Sequence, residues 1–202
     1  MSNLMLNPLF YFSVFAFLTS LFLSVFVWLK DTKNQVNITY ALLNFCLAAW
    51  ILWDIFSVVL TPKDLGLALA LSRAVYTLAV FVPIFYLHFV YALIGLKRKY
   101  WLIIGYFISL VLFVSIPTNL FINKIDAGTA FGFSRLLTGG GFLFDIFGLF
   151  YFATAIIGLV ELIRAFFGTL GHKRQQVGYF IMATLIAYSA GPLYFLSLYG
   201  IS

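Results

Sequence analysis

Residues 67–93 read LALALSRAVYTLAVFVPIFYLHFVYAL, 27 positions with a single formally charged side chain, Arg73. At about 1.5 Å per residue a helix of this length exceeds the roughly 30 Å hydrocarbon core of a bilayer. A segment this apolar and this long has lipid as its natural solvent. Five further runs of 21 to 25 residues repeat the pattern: Leu9–Leu29, Ile38–Leu60, Trp101–Phe121, Leu143–Phe167 and Val177–Tyr199. Their apolar residues are continuous, whereas the strands of a membrane β-barrel are about ten residues long and alternate apolar with polar. The expectation is an all-α, polytopic transmembrane helical bundle of six spans, forming a single unit over residues 1–202.

Composition agrees with the runs. Of the 202 residues, 64% are hydrophobic and 9% charged, with a mean hydropathy of +1.08. That balance excludes an ordinary water-soluble domain. The first run follows a segment, Met1–Pro8, that has no basic side chain, and it is too long for the core of a cleaved signal peptide. It reads as a retained helix.

The net charge of +6 is placed asymmetrically. Lys30, Lys33, Lys97, Arg98, Lys99, Lys173 and Arg174 fall between alternate pairs of runs, and the opposite side carries Lys63, Lys124 and Arg135. Seven basic loop residues against three put the N-terminus outside by the positive-inside rule. Topology and contact with anionic membrane lipids explain this charge, so nucleic acid is not an expected partner.

Short connections favour antiparallel neighbours. The longest connection, Ile122–Phe142, lies outside and holds Asn123, Lys124, Asp126, Ser134, Arg135 and the run Gly139-Gly140-Gly141. It is either a plain cover joining two helices or a lid over an outward cavity. Pro83, Pro117 and Pro192 are candidates for helix kinks, because proline removes a backbone donor and crowds the preceding turn.

Ionisable groups within the runs are costly in hydrocarbon and therefore informative. Asp54 and Arg73 fall at similar depths on consecutive runs, which makes an ion pair between them the first candidate for a polar core or ligand site. Nearer the inner side, His88 and Glu161 also fall at similar depths, and Arg164 lies three residues beyond Glu161. A His88–Glu161 contact would suit a signal relay or would merely satisfy two polar groups at the membrane boundary. Asp145 suits the first turn of its helix. Trp28, Trp50, Trp53 and Trp101 suit the aromatic belts at the two interfaces.

Catalytic patterns do not emerge. Two histidines and the single Cys46 form no metal-ligand spacing, and there is no HExxH, GxSxG or nucleotide-binding motif. The expectations are no enzyme activity, no catalytic residue, no metal and no cofactor.

Several diffuse motifs carry a resemblance. They are Asn44-Phe45…Ala49-Trp50, then Ser72-Arg73…Tyr76, then Pro83…Phe85…His88-Phe89, with weaker support from Thr138-Gly139-Gly140-Gly141-Phe142 and Lys173-Arg174-Gln175-Gln176. In order they resemble the N-terminal seven-helix membrane sensory region of bacterial sensor histidine kinases and related signalling proteins. The resemblance implies a multi-pass protein of a bacterial cytoplasmic membrane that relays a signal to an output module. It would make Asp54 and Arg73 input-side residues and His88, Glu161 and Arg164 output-side residues. It also implies a homodimer or a signalling-protein partner. Six spans that start outside would end outside at Ser202, one short of the family's seven and without its output module. A small-molecule or lipid transporter and an assembly subunit of a membrane complex are the competing readings.

Overall fold

The computed structural model describes residues 8–59, 64–130 and 133–198, with side-chain surroundings described for most of 8–126 and for 139–188. The expectations for Met1–Asn7, Thr61–Lys63 and Tyr199–Ser202 fall outside the described residues, as do the side chains of Arg135 and Pro192.

Seven helical segments and one hairpin make up the described chain: α1 (Pro8–Lys30), α2 (Gln35–Val59), α3 (Leu65–Ala79), α4 (Val82–Ile94), α5 (Lys99–Ser115), β1 (Ile122–Ala130), β2 (Phe133–Gly140), α6 (Phe142–Gly168) and α7 (Gly171–Leu198). Four stretches are long and apolar enough to cross a bilayer: Phe10–Lys30, Gln35–Ser57, Leu65–Ile94 and Phe142–Gly168. The fifth helix, α5, is apolar but shorter.

Polar side chains fix the start of α2, and a glycine fixes the end of α4. Asn34 precedes α2, and its Oδ1 accepts the Val36 amide at 2.9 Å, while Asp31 Oδ1 accepts from the amides of Lys33 and Asn34. This N-terminal cap starts α2 three residues before the apolar run does. At the other end of the next hairpin, α4 stops at Gly95, whose φ of 74° is the left-handed conformation that glycine adopts without strain. The Leu96 amide then returns to the Tyr91 carbonyl at 2.9 Å.

The prolines act differently from one another. Pro83 sits just after a break at Val80-Phe81 that divides the 67–93 run into α3 and α4. It has no N–H to give the Ala79 carbonyl, and its ring crowds that turn. Pro117 is a correction: it lies beyond the end of α5, in the turn leading to β1, and stops the helix instead of kinking it. The helix continues through Pro192 to Leu198.

α4 is the centre of the bundle. It packs against α2, α5 and α6, and nine of its residues, from Val82 to Leu93, are buried. A helix apolar on all sides belongs in such a position. Small residues allow the close approaches: a Cβ on Gly105 of α5 would overlap Ile84, and one on Gly158 of α6 would meet the Tyr86 ring. By contrast, α1 packs on α2, pinned by Ser24 Oγ donating to the Ala41 carbonyl at 2.9 Å, and leaves Phe12, Phe15 and Phe22 exposed.

Two expectations about the connections change. The outer segment is no irregular loop, since β1 and β2 pair antiparallel from Ile122↔Gly140 to Ala130↔Phe133, so the bundle is not purely helical. The basic stretch Gly168–Gln176 is mostly helix, because α7 begins at Gly171.

Candidate functional site

At the hairpin end an aromatic cluster is built from α2, α3, α6 and the turn before β1. Tyr76 packs edge-on against Phe121 and Phe144, with ring centroids 5.7 and 5.6 Å away, and Trp50 stands edge-on to Tyr151 at 5.5 Å. Trp53 is fully buried nearby on α2. Trp50 and Trp53 are thus core residues, not members of an interfacial belt. The i, i+3 spacing that puts both on the inward face of α2 is visible in the sequence, but an indole ring suits either setting.

The glycine run closes this end. Gly141 donates its amide to the Phe121 carbonyl at 2.9 Å, and a Cβ there would lie 2.7 Å from the Asn119 carbonyl oxygen and closer still to that of Leu120. A Cβ on Gly140 would strike the Phe144 ring. These glycines permit tight backbone packing between the hairpin base and α6.

Arg73 ties α3 to the same place. One Nη2 donates to Asn119 Oδ1 at 3.0 Å and to the Ile122 carbonyl at 2.9 Å. Neither contact is with Asp54, so the expected Asp54–Arg73 ion pair is not formed. α3 packs on β1, and the guanidinium faces the base of that strand. Asp54 remains half-buried on α2. The missed partner was Asn119, a polar residue at the end of an apolar run directly after Pro117-Thr118.

At the opposite end His88 bridges three helices. Gln35 Nε2 lies 2.9 Å from His88 Nε2, and Tyr106 Oη lies 2.7 Å from Nδ1. An amide nitrogen only donates, so the imidazole accepts at Nε2 and donates from Nδ1 to the tyrosine. This joins α2, α4 and α5.

Glu161 is buried on α6, with its side chain 7% exposed, and receives Arg98 Nη2 at 2.9 Å and Arg164 Nη1 at 3.3 Å through one oxygen. The His88–Glu161 contact expected from depth is absent. Helical geometry gives the reason: Tyr86 faces Gly158 of α6, and His88, two residues on, points about 200° away around α4. Arg98, counted in the sequence as a charge that sets topology, is the partner instead. Lys173 adds a tie from α7 by donating Nζ to the Leu93 carbonyl in the last turn of α4. Arg174 stacks over the Phe166 ring with its guanidinium carbon 4.6 Å from the centroid.

Two recesses lie away from the hairpin. One, of about 290 Å³, is apolar and lies between α6 and α7, lined by Phe152, Ala155, Thr184 and Tyr188 among others. The other, of about 430 Å³, is lined by Lys97, Arg98, Lys99, Tyr100 and Trp101.

The family model for the N-terminal 7TM region of histidine kinase matches residues 12–202. The chain belongs to that family. No curated protein and no solved structure matches it. The match begins inside α1 and takes in every later described element, the hairpin and both polar ends included. Trp50, Tyr76 and Phe89, which carried the resemblance, all lie in the packed aromatic interior, Phe89 between Tyr40 and Phe180.

Proposed function

We propose that this chain is a nonenzymatic membrane input region that receives a signal at its hairpin end and relays it to its basic end. The observation that carries the reading is the path through α3 and α4. Arg73 holds α3 to the base of the hairpin, the chain breaks at Val80-Phe81, and α4 then carries His88 and the Leu93 carbonyl to their inner-end partners. A proline-marked break between two tethered helices is a suitable place for a hinge. In this reading the chain crosses a bacterial cytoplasmic membrane six times with its N-terminus outside, as the distribution of basic residues favours. Its output passes to a second copy or a signalling-protein partner through the basic end.

Spin labels at two exposed inner positions, Lys33→Cys and Leu170→Cys in a Cys46→Ala background, test the relay in nanodiscs. Arg73→Ala should shift or broaden the distance distribution between the labels. A distribution identical to that of the parent would contradict the relay.

A second reading, small-molecule or lipid transport, draws on the apolar recess between α6 and α7. Selective flux into proteoliposomes that depends on this recess would favour it over signalling.

A further inference from the structure

The basic recess at the start of α5 has a composition that points to a ligand. Lys97 and Lys99 are exposed, and among the described residues neither is in an ion pair. The carboxylate nearest this rim, Glu161, is already shared by Arg98 and Arg164, which leaves the neighbourhood strongly cationic. Tyr100 is 83% exposed and Trp101 54% exposed, an arrangement suited to the headgroup level of a bilayer.

The surface below the recess narrows the choice of anion. Ile103, Phe107, Leu110 and Val114 are all exposed and follow helical spacing, so they form one apolar stripe along α5 leading away from the lysines. The helix has 17 residues, about 25 Å at 1.5 Å per residue, which is less than the roughly 30 Å hydrocarbon core. A span that short draws its ends, and the recess with them, toward the phosphate and glycerol level of the lipids.

We propose that Lys97, Lys99 and the exposed part of Arg98 bind the headgroup of an anionic phospholipid whose acyl chains lie along the α5 stripe. A free phosphate would use the lysines but leave the stripe unused. Arg98 also holds Glu161, so an occupied recess would touch the link between the α4–α5 turn and α6. This inference depends on the chain spanning a membrane, and not on what stimulus it receives.

Native mass spectrometry of the full chain, offered phosphatidylglycerol and phosphatidylcholine of matched acyl chains at equal concentration, tests it. Each basic residue near a membrane surface contributes a factor of about five, so retained phosphatidylglycerol should exceed phosphatidylcholine at least about five-fold. Lys97→Gln with Lys99→Gln should erase most of that preference. Lys30→Gln with Lys33→Gln removes the same charge from the same side and should leave it intact. Equal retention of the two lipids would overturn the proposal. So would an equal loss from both double variants, which would mean diffuse surface charge, or displacement by millimolar inorganic phosphate, which would mean a soluble anion.

Discussion

The hairpin end and the basic end of this bundle are held together by different kinds of contact. At the hairpin end the contacts are backbone to backbone and ring to ring, with Gly141 against the Asn119 and Leu120 carbonyls and Tyr76 between Phe121 and Phe144. At the basic end long charged side chains do the work, and two arginines share one carboxylate. Close-packed contacts resist small displacement and tend to move as a body. Long cationic side chains keep their heads near water and re-pair readily. The difference suits an end that collects a displacement and an end that passes it to something else.

The strongest challenge to this contrast is Gly141→Ala. Its methyl group would press on carbonyls that have no side-chain freedom to yield, and overpacking of this kind costs about 3 kcal/mol at the upper end of its usual range. Unfolding in a denaturing-detergent titration should show that loss. Unchanged stability would mean that the hairpin base is looser than described.

Arg73→Ala comes next. It removes two charge-assisted hydrogen bonds between α3 and the hairpin, at a cost of about 2 kcal/mol. Asp54→Asn should not couple to it in a double-mutant cycle, because the guanidinium's contacts are elsewhere. Strong coupling would restore the ion pair that sequence depth suggests.

The basic end should prove softer. A double-mutant cycle on Arg98 and Glu161 should give a coupling of about 1 kcal/mol, since the arginine is partly open to solvent. A value matching that of Arg73 would erase the distinction between the ends. The smallest effect expected is that of Tyr106→Phe, which deletes one intramembrane hydrogen bond to His88 and should cost about 0.6 kcal/mol.

The sequence made some of these features visible and hid others, for physical reasons. Long apolar runs report burial in lipid directly, because hydrocarbon tolerates few alternatives. The helix break before Pro83 is legible as well, since a proline disturbs the turn before it wherever the helix packs. Position along a run can be counted from its ends, and that marks Arg73, His88 and Glu161 as residues needing partners. Rotation about the helix axis could not be counted in the same way. It depends on which neighbour each helix meets, and this is why Arg73 went to Asn119 and His88 to Gln35 and Tyr106. The hairpin was hidden for another reason. Its strands, INKIDAGTA and FSRLLTGG, contain three glycines between them and alternate poorly, so period-two reading fails there.

Sidedness underlies every assignment of input and output. In a Cys46→Ala background, an exposed hairpin position, Asp126→Cys, and an exposed position of the basic turn, Lys99→Cys, are treated with a membrane-impermeant thiol reagent on intact cells. Asp126→Cys should react at once, and Lys99→Cys only after the membrane is opened. Labelling of Lys99→Cys from outside, with Asp126→Cys protected, would invert the bundle and contradict the proposed direction of the signal.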